Sequence, residues 1–588
     1  MPEPFEVHQS VLGQKWCMRA VDETEAQKIA QRLRFPEIVS RILVGRGVLD
    51  ADVDAYLDTT LKRHLPDPFV LAGCEKAAGR LADLVQSSGT VGIFGDYDVD
   101  GGTGTAILAK LLRGLGASVV THIPDRRAEG YGPSIAAFKS LVDKGAQAIV
   151  TVDCGTTAYE PLNWARDNKI DVIVVDHHLP GEATNPAFAL INPKNENDMS
   201  GLDYLSAAGV SFLLAVAINR ALRERGFFDG HEEPDLLSLL DLVALGTVCD
   251  VVPLKGVNRA IVTQGLRVLE ARGNPGLAAL ADVGRLQGSA STYHLGFVFG
   301  PRINAGGRLG PPGLALELLT SEDPLAAQKI ARELDALNAQ RRDVEREVLD
   351  VATMAAEKCA ATGARVIVVA GETWHEGVVG IVAGRIKDKF GFPAVVLSIG
   401  ENRLARGSGR SIHGVDLGGA VVAAVEQGLL VKGGGHAMAA GMTVDAERID
   451  ELSHYLDRAL RGDIETSLKS AQLKVDGLVG LGAIDVGLSD AFAKAGPYGA
   501  GNPEPLVVCP DVRVAMADRV GADHVRAILT DSSGNRVKGI AFRAADGPLG
   551  EVLMEGEGRK LHLAGRIKDD TWNRRRQVQL QIEDAALA

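Results

Sequence analysis

Several features that would place a chain quickly are scarce or missing here. The six cysteines (Cys17, Cys74, Cys154, Cys249, Cys359, Cys509) are scattered and form no CxxC pair. That argues against a zinc ribbon and a disulfide framework and for a reducing compartment, with the cytoplasm as the default. Most of them are expected to be small buried hydrophobes. Long apolar runs are missing too. The most membrane-like segment, Tyr204 to Asn219, carries no charge but is 16 residues long, and a span needs about 20. It reads as a buried helix, and no membrane association is expected. The opening Met1-Pro2-Glu3-Pro4 lacks the basic-then-apolar order of a signal peptide. There is no internal repeat and no low-complexity tract.

Positive charge is also in deficit: 63 Lys and Arg against 76 Asp and Glu leave a net charge of −13. A surface that gripped a polyanion everywhere would be basic. Any nucleic-acid contact must therefore be patchy, at Arg126-Arg127, at Arg403, Arg406 and Arg410, or at Arg574-Arg575-Arg576. For each cluster the alternative is a solvated face. Metal-binding carboxylates would explain part of the deficit, because bound cations reverse the local field.

What is present is a coincidence of strand ends and metal-ligand side chains. Val91-Gly92-Ile93-Phe94 runs into Asp96-Tyr97-Asp98-Val99-Asp100, Ala148 to Val152 into Asp153, and Val172 to Val175 into Asp176-His177-His178. Short β-branched runs bounded by turn signals read as buried parallel strands, and in open parallel sheets functional groups gather beyond the carboxyl ends. Acids and imidazoles from three such ends imply one metal site, binuclear by the number of donors. The acids at 96, 98 and 100 alternate, so an extended backbone would aim them one way. Gly95 and Gly101-Gly102 are expected to make the tight turns around them. An EF-hand would need Glu where Ile107 stands. Gly101-Gly102-Thr103-Gly104 has neither the Walker Lys nor a GxGxxG frame.

His177 and His178 are neighbours that diverge in direction, so their jobs should differ. One would ligate metal through a ring nitrogen while a carboxylate orients the other nitrogen. Asp176 is the candidate for that partner, with a helix cap as the alternative. Carboxylates mixed with imidazole, and no thiolate, suit Mn²⁺ or Mg²⁺ better than Zn²⁺. A pair of such ions clamps a phosphate, activates water and stabilises a leaving oxygen, which points to phosphoester hydrolysis.

The 588 residues correspond to roughly four domains. Residues 1–75 read as helical and polar. Residues 76–320 alternate strand and helix like a doubly wound α/β domain with a parallel sheet. In 321–362 there is no Gly, and the only Pro, Pro324, falls at the start, which suggests a long bridging helix. A second α/β domain follows over 363–465, opened by Arg365-Val366-Ile367-Val368-Val369. The tail, 470–588, has short alternating runs such as Lys560–Arg566 and Val578–Glu583 and reads as a small β-barrel.

These residues carry a resemblance. The Asp96–Gly101 segment, Asp153, Asp176-His177-His178 and Ala244-Leu245-Gly246-Thr247-Val248-Cys249-Asp250-Val251-Val252-Pro253-Leu254 are similar to the four motifs of DHH-family phosphoesterases. The last motif implies a further ligand at Asp250. Gly300-Pro301-Arg302-Ile303-Asn304-Ala305-Gly306-Gly307-Arg308-Leu309 resembles, within that family, the RecJ single-strand-specific exonucleases. Trp374 to Ala383, Gly407-Ser408-Gly409-Arg410-Ser411 and Gly433-Gly434-Gly435-His436 resemble the accompanying DHHA1 domain. Pro497-Tyr498-Gly499-Ala500-Gly501-Asn502-Pro503-Glu504-Pro505 resembles the lead into the OB-like barrel of that family. Many family members carry a His four residues before the first metal-binding Asp; this chain has Phe94 there, which cannot ligate metal, and Asp96 is the candidate substitute.

The resemblance implies 5′→3′ hydrolysis of single-stranded DNA to mononucleotides in DNA repair and recombination. The implied metal ligands are Asp96, Asp98, Asp100, Asp153, His177 and Asp250, and His178 completes the catalytic set. Ser408 and Arg410, with Arg126 or Arg127, would hold the terminal 5′ phosphate, and Arg302 and Arg308 the scissile phosphate or its neighbour. Gly434 and Gly435 would sit in an anion-binding loop before His436, with a tight packing turn as the alternative. On the barrel, His562, Trp572 and Arg574-Arg575-Arg576 are candidates for strand contact, though Trp572 could equally be core. The resemblance further implies a single-strand-binding protein and a RecQ-like helicase as partners, and a multidomain clamp needs no second copy, so a monomer is expected. Two other readings stand beside this one. A DHH phosphodiesterase for short oligonucleotides or cyclic dinucleotides should be shorter and lack the tail, and a strand-binding scaffold without catalysis should have eroded ligands.

Overall fold

The computed structural model describes residues 5–126, 129–130, 132–470, 472–555, 558–570 and 576–588. The chain divides into two compact units. One comprises Met1–Gly300, Leu316–Gln328 and Gln472–Ala588, the other Pro301–Ala315 and Lys329–Ala471.

The first unit holds a five-stranded, wholly parallel sheet in the order Ser118–His122, Thr90–Gly95, Ala148–Val152, Asp171–Val175, Ala189–Ile191. The apolar runs read from the sequence are its central strands, and they are buried almost throughout. After Thr90–Gly95 the chain moves to one side to make Ser118–His122, then returns across to Ala148–Val152. The two strands flanking this reversal are those that end at Asp96 and Asp153. A doubly wound sheet opens its crevice at such a point. Tyr204–Asn219 falls largely in the buried helix Ala207–Glu224. No helix among the described residues is long and apolar enough to cross a membrane.

The tail of the same unit is a barrel closed by five strands: Val507–Val520, His524–Thr530, Arg536–Ala541, Gln577–Leu587 and Lys560–Asp570, with the last pairing back onto the first. Its strands are longer than the sequence runs suggested, because closure requires tilted, staggered strands that outlast the alternation of any one face. The amino-terminal segment is not purely helical. Glu6–Val7 and Lys15–Met18 form a small sheet with Gln472–Val475. Ala26, Ile29, Ile42 and Leu43 of the following helices share one core with barrel residues such as Val507, Leu561 and Leu580. Trp16 is fully buried, and its indole N–H donates to Asp584 Oδ2 at 2.9 Å. The polar faces of those helices hid a partner that lies more than four hundred residues along the chain.

The 38-residue helix Pro324–Ala361 is the expected long helix. The second unit has a five-stranded sheet in the order Lys432–His436, Ala439–Asp445, Leu404–Arg410, Ala394–Ile399, Ile367–Glu372. Only the last pair is parallel; the others are antiparallel.

Candidate metal centre

Beyond the parallel strands the backbone ladder continues for one more rung. The N–H groups of Asp96, Asp153 and Asp176 donate to the carbonyls of Val152, Val175 and Ile191 at 3.1, 2.9 and 3.1 Å. Each acid is thus hydrogen-bonded to the last residue of the neighbouring strand, which ranks the three along one sheet edge. Asp153 takes a left-handed backbone (φ 62°), a conformation costly for any residue with a Cβ and typical of sites where the chain must turn a side chain inward.

The extended alternation expected for Asp96, Asp98 and Asp100 is not what forms. Helix starts at Val99, and Asp98 is its N-cap, accepting from the N–H groups of Asp100 and Gly101 at 2.9 and 3.1 Å. Asp98 satisfies orphan helix donors better than a strand would. Gly101 is needed for close packing rather than for a turn: a Cβ there would lie 2.7 Å from the backbone of Asp96. Asp100, on the first turn, points across to another helix start, accepting from Ala207 N and Ala208 N at 2.6 and 3.0 Å. Asp250 caps the far end of helix Leu240–Cys249.

These residues form three overlapping groups whose ligand atoms lie within 4.8 Å of one another: Asp153, His177 and His178; Asp100, His177 and Asp250; Asp96, Asp98 and Asp153. Asp153 and His177 each belong to two groups; a carboxylate has two oxygens with which to serve two ions, whereas a neutral imidazole would ligate one. His177 Nε2 lies 3.2, 3.5 and 3.9 Å from Asp153, Asp250 and Asp100 without making a hydrogen bond to any of them. Among the described residues, Asp96 Oδ1 and Asp250 Oδ2 are buried and also lack hydrogen-bond partners. Buried polar atoms without partners are costly, and here they face one another.

The electrostatics agree. Burial, then the charge of Asp98, pushes Asp96 up to about 8 and Asp100 up to about 7. Burial, then Asp100 and Asp98, pushes Asp250 up to about 9. Asp153 is raised for the same reasons. Burial lowers His177 to about 3, leaving a neutral imidazole suited to ligation. His178 differs. Burial would lower it, but Asp176 raises it overall through a 2.7 Å bond from Nδ1 to Oδ1. Asp176 also accepts from the N–H groups of His177, His178 and Thr156. It therefore cross-links the loop and aims the second imidazole. The thiol of Cys249, nearby, is held protonated by burial. An oxygen-rich set with imidazole and no thiolate, short of cations and with orphaned atoms, fits two hard divalent ions of the Mn²⁺ or Mg²⁺ type. Phe94, where the family His would stand, is fully buried and stacks on His122, while Asp96 falls within one of the groups.

Two residues of this neighbourhood were missed from sequence. Lys194 acts electrostatically on His177, His178 and Asp250. Asn192, fully buried, donates to Thr156 Oγ1 and His178 O at 2.9 and 2.8 Å. Both follow strand Ala189–Ile191, and extending the strand-end rule by one strand would have found them. Arg126 lies over the Tyr97 ring at 5.4 Å and lowers Asp96 in a minor way, which brings it to this site. Arg127 lies outside the described residues.

In the second unit Ser408 and Arg410 occupy one face of strand Leu404–Arg410, with Arg410 Nη1 donating to Ser408 Oγ at 3.0 Å. A Cβ on Gly380 would lie 3.1 Å from both side chains, so the pair sits against the first turn of helix Val379–Phe390, where backbone N–H groups favour an anion. Arg302 pairs with Asp335 at 2.9 Å, and Arg308 Nη1 donates to Gly377 O at 2.7 Å.

The loop expected at Gly433-Gly434-Gly435-His436 is instead the edge strand Lys432–His436. Gly435 pairs opposite Ala440 with φ 152°, and a Cβ would lie 2.3 Å from Ala439 O. Close strand pairing accounts for glycine at 435, whereas at Gly434 a Cβ would meet nothing within 4 Å; the segment expected as a loop is a strand, and His436 is exposed at its end.

On the barrel, His562 packs edge-on against Phe5 and receives the Asp511 N–H. Arg576 pairs with Asp490 and Asp569. Trp572, Arg574 and Arg575 lie outside the described residues. All six cysteines are free, three of them buried.

A parallel sheet ending in this carboxylate–imidazole centre defines a DHH-type protein, and the DHH family, N-terminal domain, matches residues 90–247. The DHHA1 domain matches residues 363–462 and the RecJ OB domain residues 475–584. The single-stranded-DNA-specific exonuclease RecJ of Dickeya dadantii is 35% identical over 565 residues, covering 93% of this chain and 96% of that protein. The protein of the same name from Bacillus subtilis is 33% identical over 578 residues, 98% of this chain and 71% of that one. The crystal structure of RecJ in complex with Mn²⁺ from Thermus thermophilus superposes with a TM-score of 0.78 at 28% identity, over 97% of this chain and 78% of that one. The chain belongs to the RecJ family.

Proposed function

We propose that the chain is a divalent-metal-dependent exonuclease specific for single-stranded DNA, which removes 5′-mononucleotides from the 5′ end. The observation that carries this is the overlap of three carboxylate and imidazole ligand groups at Asp153 and His177, a donor set large enough for two ions, with the Asp153 carboxylate placed to serve both. Asp96, Asp98, Asp100, Asp153, His177 and Asp250 would hold two Mn²⁺ or Mg²⁺ ions, which supply Lewis acidity at the phosphate and activation of water. Water oxygen joins phosphorus as the P–O3′ bond breaks, leaving the terminal nucleotide with its 3′ hydroxyl and the shortened strand with a new 5′ phosphate. His178, aimed by its Nδ1 contact with Asp176, donates toward the phosphate and the departing oxygen. Arg126 balances charge beside the centre. Ser408 and Arg410, against a helix start, hold the 5′-terminal phosphate; the guanidinium fork matches it bidentately. Arg302 and Arg308 bind the strand. A role in repair and recombination, with a single-strand-binding protein and a RecQ-like helicase as partners, and action as a monomer in the cytoplasm, complete the reading.

The test is digestion of single strands labelled separately at each end. Stepwise release from the 5′ label in Mn²⁺, abolished by EDTA and by Asp153→Ala, is expected. Cleavage of dinucleotides with long strands left intact would overturn it.

A further inference from the structure

The first unit contains a cavity of about 730 Å³ none of whose lining residues belongs to the metal centre. That volume lies in the range of small-ligand sites. Its wall combines two properties. One is cationic charge without acidic partners. Arg259, 4% exposed, gives its guanidinium N–H groups to the carbonyls of Tyr56, Ala495 and Lys494 and lies over the Tyr56 ring at 3.9 Å. No carboxylate among the described residues pairs with it; its charge is met by those carbonyls and the ring alone. Among the described residues Arg267 donates to Gln264 alone, at 3.3 Å, and the Lys494 ammonium sits over the Phe35 ring at 5.1 Å. The cavity's one acid, Glu504, is already paired with Lys568. A wall with cations and a single, already paired acid carries a positive field that favours an arriving anion.

The other property is an aromatic platform. Tyr293, on the cavity wall, is 61% exposed and stacks on Phe297, 71% exposed, with centroids 5.2 Å apart at 25°. Both belong to the π-helical turn at His294–Phe299 or its cap, a helix defect that is frequent at functional sites. Two large rings left in water and already stacked offer a flat face to a third ring.

We propose that this cavity is a nucleotide-binding subsite, taking a phosphate on Arg267 and Lys494, with Arg259 behind them, and a base against Tyr293. An inorganic anion would leave the platform unused, and a neutral aromatic would leave the charges unmet; a nucleotide satisfies both. The same chemistry has two sources, a free mononucleotide and one nucleotide of the substrate strand. Only the strand source rests on the exonuclease reading.

The test uses the full chain in EDTA, so that nothing is cut. Binding of dTMP is followed by saturation-transfer NMR. In parallel, strands carrying 5-iodouracil at one position each are photo-crosslinked and the attachment site is mapped by mass spectrometry. Tyr293→Ala, a change at an exposed side chain outside the core, is expected to weaken binding roughly tenfold, within the range of one stacked base. Arg267→Glu with Lys494→Glu is expected to abolish it, with circular dichroism and melting confirming the fold. Saturable dTMP binding lost in these variants identifies the free nucleotide. Cross-links to Tyr293 or Phe297 from one strand position, without dTMP binding, identify the strand. Absence of both, or binding that survives both variants, overturns the proposal. A nuclease assay in Mn²⁺ on the same preparation keeps the two readings apart: inactivity with cross-links retained counts against the exonuclease, and activity without them counts against the subsite.

Discussion

Two five-stranded sheets carry the candidate sites of this chain, and they present them in opposite ways. In the first unit every strand runs the same way, so all carboxyl ends meet at one edge and the functional groups sit beyond the strands, on loops and helix termini. In the second unit most strands are antiparallel. No edge collects the ends, and Ser408 and Arg410 project from the face of a strand instead. Charge follows the same division. The parallel edge concentrates carboxylates that repel until cations arrive, whereas the antiparallel face offers a cation and a hydroxyl against a helix start, ready for an anion. Strand direction decides whether a site is assembled from loops or built on a surface.

The comparison breaks most visibly at His177, the donor shared by two ligand groups. His177→Ala is expected to cut hydrolysis about a thousandfold in saturating Mn²⁺, since it removes several kcal/mol of metal-supplied stabilisation; an end-label release assay reads it. Arg410→Ala addresses the other sheet. It should raise KM for 5′-phosphorylated strands roughly tenfold to a hundredfold, as a hydrogen bond to a charged group is worth about 1.5–3 kcal/mol, and leave 5′-hydroxyl strands nearly unchanged. An equal effect on both substrates would remove the end-recognition role.

The pH dependence of stability separates the two sheets without any substrate. Asp96, Asp100 and Asp250 have folded values pushed up to about 8, about 7 and about 9, against about 3.9 when unfolded. In that window the folded state binds more protons than the unfolded one, so stability falls as pH rises from about 4 to about 9 and levels off above it. In EDTA the melting temperature should therefore be higher at about pH 5.5 than at about pH 8.5, and Mn²⁺ should restore the loss at the higher pH. A flat apo profile would mean that the acids are not packed together. The smallest effect sits on the antiparallel edge: Gly435→Ala should cost about 1–3 kcal/mol of stability by forcing a strained backbone, whereas Gly434→Ala, whose Cβ meets nothing within 4 Å, should be close to neutral. Urea unfolding of the pair measures the difference.

Much of the parallel sheet was legible, because a buried strand must be apolar on both faces and Val91–Phe94, Ala148–Val152 and Val172–Val175 leave few other readings. The long helix Pro324–Ala361 was legible through the absence of Gly and internal Pro. The pairing of the first residues with Gln472–Val475 was not, since edge pairing depends on backbone rather than on side-chain type. Gly433 to Gly435 misled for the same reason: glycine signals either a loop or a tight strand approach, and only the neighbouring strand Ala439–Asp445 distinguishes them. The alternation of Asp96, Asp98 and Asp100 suggested one extended face, but Asp98 caps a helix that starts at Val99, which turns Asp100 away from that face.

The amino-acid sequence by itself determined which strands are buried, which side chains stand at their ends, and that those side chains are hard-metal ligands, because these follow from local hydrophobicity and donor type. Only the tertiary structure decided that Asp100 reaches its place across the start of helix Ala207–Glu224, that Asp250 joins from a helix end, and that Asp153 and His177 are the shared donors. Those distances depend on strand order and on helices packed from distant parts of the chain, which no local pattern encodes.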